Sequence, residues 1–359
     1  MRNESFLSGD IWFPDRVVFV YNPNYIKLTR ITEFDNVSIK FINPRSGRDI
    51  EINVALVNNS ASVYISKFLQ ILLFDDRAFT LGAEIKAGDY SQTIEFLCVN
   101  GSLNIGERFG QIGSFAYNAD EKYFVRRVRW FKNFPFEVSI FADNSSTELS
   151  YRYDGNVYTK AGNLREGFND YDPKTAVGSA TRFAVLKITP DGGTGTGLTT
   201  FDNSFDYTFN DLLESVSMIR LLVDNSTEGH YFRWVDPMGQ LQYFLFTKGV
   251  EQTKVTESES FDEDVESNGM YFGVVKRVLE KTRTRELKCC AVNLTTDEQE
   301  YVKTIVSSID CHMYIGKRNG SDLWMPVNVK AGTFSTSEIE NLQDFEVSVE
   351  LPISQTQTR

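Results

Sequence analysis

Apolar side chains recur at every second position through much of this chain. Ile26 to Ile31, Val37 to Ile42 and Ile50 to Leu56 alternate apolar with polar residues, which predicts half-buried strands; the run Val17 to Tyr21, ended by Asn22-Pro23-Asn24, and Ala61 to Ile65 read as further strands. Pro44-Arg45-Ser46-Gly47 marks a turn between two of them. Ser66 suits the cap of a short helix over 67–74, but the same apolar run fits a buried strand, and periodicity leaves both open. Thr93 to Val99, Tyr123 to Phe131 and Phe136 to Phe141 extend the series, with Asn133-Phe134-Pro135 breaking the last pair.

The most aromatic and best punctuated stretch runs from His230 to Phe246 and reads as one β-hairpin. In Asp236-Pro237-Met238-Gly239 the Asp accepts local backbone N–H bonds, the Pro fixes φ for the corner, and the Gly takes the left-handed exit. Tyr231, Arg233 and Val235 fall on one face and Phe232 and Trp234 on the other. On the returning arm Leu241, Tyr243 and Leu245 alternate with Gln240, Gln242, Phe244 and Phe246. Bulky residues on both faces predict that both sides are covered.

Nearer the C-terminus the period changes once. Strands at Met270 to Val278 and Thr284 to Val292 lead to a capping box, Thr295 with Glu298 or Thr296 with Gln299. The helix it opens places Tyr301, Val302, Ile305, Val306 and Ile309 on one face. Strands at Cys311 to Ile315, Leu323 to Val329 and Phe345 to Leu351 follow, and Asn319-Gly320 suits a primed hairpin turn. The fold class expected is mainly β: several antiparallel β-sandwich or β-barrel units, closed by a C-terminal α+β barrel-plus-helix unit. The expected division is 1–145, a β-sandwich-like domain; 146–250, a loop-rich β domain ending in the 231–246 hairpin; 251–268, an acidic linker or loop; and 269–359, the barrel-plus-helix domain.

Composition sharpens this picture at three points. Aromatic residues are 13% of 359, which suits a strand-rich chain with a sizeable core. A net charge of −12 opposes any duplex-binding surface spread over the whole molecule, so no sequence-specific nucleic-acid binding is expected. Cys98, Cys289, Cys290 and Cys311 show no CxxC spacing, so a soluble, cytoplasmically made chain without disulfides is expected. The N-terminus lacks the apolar core of a signal peptide, and no apolar run approaches the about 20 residues of a membrane span.

The search for chemistry returns bland answers. Asp191 to Gly197 is glycine-rich but fits neither GxGxxG nor a phosphate loop, so a surface loop is expected. Glu251, Glu257, Glu259, Asp262, Glu263, Asp264 and Glu266 read as a solvated linker, since the alternating order of a calcium loop is missing. His230 and His312 have no acidic or Cys partner at ligand spacing, so neither a metal nor another cofactor is expected. No GxSxG elbow marks a nucleophile. Asp170, Asp172, Asp206 and Asp236 sit among aromatics as glycosidase carboxylates would, but Asp236 already has a turn to make; sugar binding by ring stacking asks less of the chain. Tyr123 to Lys132 interleaves cations and rings as a single-strand platform would, yet a strand with Arg stems over apolar surface and heads in water explains it better. Lys281, Arg283 and Arg285 share one strand face, for which the acidic stretch is a counter-charge.

Three stretches together resemble a family. Tyr231 to Gly239 with Gln242 to Phe246, the Phe131-Lys132-Asn133-Phe134-Pro135-Phe136 junction, and Trp324-Met325-Pro326-Val327 after the capped helix resemble tail-associated proteins of phages and prophages of gut Bacteroides-type bacteria, as does the opening Tyr21-Asn22-Pro23. The C-terminal order of strands, helix and closing strands looks like the barrel-plus-helix units of distal tail and hub rings. The resemblance implies a non-enzymatic virion part of the distal tail, hub or baseplate, located in the tail. Such a part forms a homo-oligomeric ring and docks other tail proteins, and an acidic channel lining would let DNA slide. Tyr231, Arg233, Trp234, Tyr243, Phe246 and Trp324 are its candidate interface residues, though an ordinary core position explains each of them better. A carbohydrate-binding, receptor-contacting module that holds a host surface glycan is the alternative, with its aromatics between 150 and 210; a glycan hydrolase comes third.

Overall fold

The computed structural model describes residues 1–73, 77–102, 111–112, 115–118, 123–190, 212–213, 215–330 and 342–358. The chain is mainly β, its sheets almost wholly antiparallel, with a short helix beside the C-terminal sheet. It divides into two compact units that do not follow chain order. The first comprises Met1–Trp130, Phe136–Val223 and Asp236–Leu241; the second comprises Phe131–Pro135, Asp224–Val235 and Gln242–Arg359. This division differs from the four consecutive segments expected.

The first unit begins with two strands, Arg2–Phe6 and Gly9–Phe13, that the alternation does not announce, because Arg-Asn-Glu-Ser offers no apolar partner positions. They join Tyr25–Thr29 and Ala61–Tyr64 in a four-stranded sheet. A five-stranded sheet runs Val17–Phe19, Tyr90–Val99, Ala78–Ala87, Asn36–Asn43, Arg48–Ala55; its first pair, Val17–Phe19 with Leu97 to Val99, is parallel. One apolar cluster joins the inward positions of both sheets, including Phe13, Ile26 and Leu28 from one and Ile39, Phe41, Leu81 and Phe96 from the other. Two sheets sharing such a core form a sandwich.

The ambiguous run after Ile65 is helical over Ser66–Leu72, with Leu69 and Leu72 buried. Ser66 is not its cap. Its hydroxyl donates to the Asn22 carbonyl at 2.6 Å and accepts from the Asn24 amide at 3.0 Å, so it pins the preceding turn.

A seven-stranded sheet follows in the order Gln111–Ile112, Phe115–Asn118, Tyr123–Phe131, Ser217–Asp224, Phe183–Thr189, Glu148–Tyr153, Thr159–Asn163. Val138–Ala142 pairs separately with Gly167–Tyr171. Arg126 corrects one expectation: its head does not reach water. The side chain is buried, and Nη1 donates to Gln240 Oε1 at 3.1 Å, whereas Arg127 is exposed.

In the second unit a seven-stranded sheet runs Leu241–Phe246, His230–Val235, Cys311–Arg318, Ser321–Val329, Gln343–Thr358, Met270–Leu294, Lys248–Ser267. Asn319 and Gly320 both take positive φ, 53° and 82°, as a primed two-residue turn requires. Thr295 and Glu298 form the capping box of the helix Thr296–Lys303. The expected apolar face holds for Tyr301, Val302 and Ile305. It fails at Ile309, which is fully exposed, because the chain tightens to a 3₁₀ turn over Thr304–Ser307 and leaves the helical period.

The acidic segment is the largest correction. It is no linker but the outer strand Lys248–Ser267, paired with Met270–Leu294 along its whole length. The physical reason lies across the ladder. Lys281 Nζ reaches Glu257 at 3.6 Å, Arg285 makes a two-pronged contact with Glu251 at 2.5 and 2.9 Å, and Arg277 pairs with Glu263. Carboxylates that look like solvation in one dimension are cross-strand partners in two.

Candidate assembly surface

The hairpin at His230 forms as its residues require. Asp236 Oδ1 accepts the amides of Met238 and Gln240, both at 2.9 Å, and Gly239 takes φ +83°. The Gly239 amide donates to the Asp236 carbonyl at 2.9 Å, completing the turn.

Of the six candidate interface residues, Tyr231, Trp234, Tyr243 and Phe246 are all buried in the interior of the second unit, so their side chains offer no area to a neighbour. Tyr231 is the hub of one face. Its ring stacks on Phe134 at 4.6 Å and Tyr243 at 6.1 Å and meets Trp324 at 6.0 Å. Its hydroxyl makes no hydrogen bond among the described residues, and burial pushes its pKa well above the usual tyrosine value. On the other face Phe232 meets Phe246 edge-on at 5.3 Å, and Trp234 lies 5.7 Å from Tyr301. Both sides of the hairpin are therefore covered, as its residue pattern predicts.

Arg233 and Trp324 remain half-buried, the guanidinium carbon 4.6 Å from the Trp324 ring centroid. That cation–π pair is the part of the six-residue set that meets solvent.

Exposed apolar side chains gather elsewhere, on the ribbon made by Lys248–Ser267 and Met270–Leu294. Gln343–Thr358 pairs with the second strand only from Glu280 to Leu294. Beyond Glu280 the ribbon has two strands alone among the described residues, turning at Asn268 and Gly269, both with positive φ. Phe261, Met270, Tyr271, Phe272, Val274 and Val275 all lie there, between 43% and 65% exposed. Sequence reading missed this surface because the acidic strand concealed its own pairing. The signal present was Met270-Tyr271-Phe272-Gly273-Val274-Val275, an apolar run with no apolar partner strand.

A second feature is an open cleft of 560 Å³ in the first unit, lined by Tyr151, Arg152, Tyr153, Gly155, Asn156, Val157 and Thr159. Its rim is held by Asp154, whose carboxylate accepts the Thr181 amide at 2.8 Å, the Thr181 hydroxyl at 3.0 Å and the Arg182 amide at 3.2 Å. Those bonds, the Thr181 amide first, hold its pKa below the usual carboxylate range. Nearby, the Tyr158 ring lies 4.7 Å from the Arg152 guanidinium carbon and 5.6 Å from Lys187 Nζ.

The residues weighed for chemistry are dispersed. Asp170 pairs with Arg77, Asp172 Oδ1 accepts the Lys174 amide at 2.8 Å, and Asp236 serves its turn. Asp206 and the Asp191 to Gly197 segment lie outside the described residues. Among the described residues no group of three or more His, Cys, Asp or Glu is placed to hold a metal ion, and no helix is long and apolar enough to cross a membrane. The four cysteines are free thiols; burial raises the pKa of Cys289 and Cys311 to about 12.

No family model matches the chain, and no curated protein matches it. Among solved structures it is similar to an I-band fragment of titin, at 10% identity and a TM-score of 0.16 over 76% of this chain and 89% of that one. A three-immunoglobulin-domain titin structure, an E-to-A mutated variant, gives 10% identity and a TM-score of 0.17 over 79% and 94%. Scores this low mark no shared fold.

Proposed function

We propose that this chain is a structural component of a phage or prophage tail, in the distal tail, hub or baseplate region, that works by self-assembly and by docking other tail proteins rather than by catalysing a reaction. The observation that carries this reading is the two-stranded ribbon tip, whose six large apolar residues have water on both faces. An isolated hairpin is marginal in water, and a contiguous exposed apolar surface is what a binding partner covers. The sequence resemblance to tail-associated proteins supplies the setting. Native mass spectrometry at micromolar concentration tests it: a defined oligomer supports the reading, and a strict monomer that joins no tail component sinks it.

The cleft at Tyr151 to Thr159 favours one further reading, a carbohydrate-contacting module in the same virion part. Two tyrosines, an Arg and an Asn around an open cleft combine ring faces with hydrogen-bonding groups, as sugar binding asks. A glycan array on the whole chain and on Tyr153→Ala checks it. Specific signal lost in the variant supports it; a blank array removes it.

A further inference from the structure

The tip of the ribbon has two open edges of opposite character. Its outer edge, Glu257 to Ser267, carries six carboxylates and no cation; its other edge, Met270 to Leu279, carries Lys276 and Arg277 and no acid. Among the described residues each edge pairs only with the other strand of the same ribbon. Their lengths match, at roughly 33 Å for ten residues of strand.

We infer that the ribbon tip is the self-assembly device of this chain, and that its occupant is the ribbon of a second copy, added strand to strand with the acidic edge of one copy against the basic edge of the next. This rests on the self-assembling reading above and names its surface. Edge pairing satisfies the open backbone N–H and C=O groups of both strands. It also turns the two-stranded tip into a four-stranded sheet in which Phe261, Tyr271, Phe272, Val274 and Val275 gain neighbours. Charge sets the polarity. Two acidic edges side by side would bring carboxylates together without cations, whereas the acidic edge against Lys276 and Arg277 gives each strand an opposite-sign neighbour. A contact between two different edges is head-to-tail, so it closes into a ring or runs on as a helix rather than stopping at a two-fold dimer.

The test uses two full-length variants, each with one edge reversed. Asp262→Lys with Asp264→Lys blocks the acidic edge, and Val274→Glu with Lys276→Glu blocks the basic one; neither touches the Arg277–Glu263 or Lys281–Glu257 pairs. Sedimentation velocity should find the natural chain oligomeric, each variant alone a monomer, and an equimolar mixture a two-chain species built from the one functional edge left on each. Circular dichroism matching the natural chain shows that the variants fold. A third protein, with 256–281 replaced by an Asn-Gly turn, should be monomeric. If it assembles as the natural chain does, or if the mixture stays monomeric while the natural chain is oligomeric, the ribbon inference is overturned and the self-assembling reading stands. A natural chain that is monomeric throughout overturns both.

Discussion

The phenolic oxygen of Tyr301 makes two hydrogen bonds to one residue, donating to the Tyr243 carbonyl at 2.7 Å and accepting from the Tyr243 amide at 3.0 Å. Tyr243 lies on the border strand of the second unit's sheet, so a side chain from the capped helix stands where the next strand's backbone would. Tyr301→Phe keeps the ring against Trp234 and Phe244 but takes the hydroxyl away from a buried N–H and C=O. Each such group costs about 1–3 kcal/mol, so urea unfolding should show a loss of about 2–4 kcal/mol. A loss below about 0.5 kcal/mol would mean that water replaces the hydroxyl.

Thr304 is the next link. Its hydroxyl accepts from Trp234 Nε1 at 2.8 Å and donates to the Tyr301 carbonyl at 2.7 Å. Thr304→Val preserves shape and removes both bonds. The fully buried indole N–H then has no acceptor, for about 1–2 kcal/mol of lost stability, and tryptophan fluorescence should report the changed surroundings of Trp234.

Thr295 caps the same helix, with its Oγ1 accepting the Glu298 amide at 3.3 Å while Glu298 Oε2 accepts the Thr295 amide at 3.0 Å. Thr295→Ala should cost about 1 kcal/mol and Thr295→Ser much less, read by thermal unfolding. Equal losses would exclude the cap as the cause.

At the hairpin turn, Gly239→Ala meets two obstacles. The residue sits at φ +83°, and a Cβ there would lie 3.0 Å from the Asn100 carbonyl oxygen and 3.2 Å from the Phe168 ring. A destabilisation of about 1–3 kcal/mol is expected. Asn, which tolerates left-handed backbone, should be no better here, since the crowding is independent of φ.

His230 gives the pH dependence its sign. Burial lowers its pKa, with nearby Glu251 opposing the shift, so the folded state holds the ring neutral below the ordinary value of about 6.5. Between the lowered folded value and about 6.5 the unfolded chain binds the proton and the folded chain does not. Stability from this group is therefore complete above the unfolded pKa and is lost as pH falls through the folded one. Unfolding at pH 7.5 and 5.5 should show a drop that His230→Asn reduces; His312→Asn serves as the comparison.

What the sequence made legible was local chemistry. Asp236 to Gly239, Asn319-Gly320 and the Thr295–Glu298 box each carry their structure in adjacent residues, and each forms as expected. Partners distant along the chain were another matter. The carboxylates of Glu251 and Glu257 look solvated until Arg285 and Lys281, 34 and 24 positions away in sequence, are brought opposite by the ladder. Arg126 needed Gln240 to be buried, and nothing beside either residue announces the other. For the candidate site the aromatic wealth was visible but its direction was not. The rings of the His230 hairpin turn inward, while Met270 to Val275, legible as a strand, stay exposed because their partner strand is the acidic segment.

The Tyr301 hydroxyl has a consequence beyond its own energy. A sheet whose one border is stoppered by a side chain, while its far border tapers into an open ribbon, has a front and a back. At Tyr243 that border offers a foreign strand no free backbone, so unsealing it would open a further edge of this sheet and with it a route to disordered aggregation.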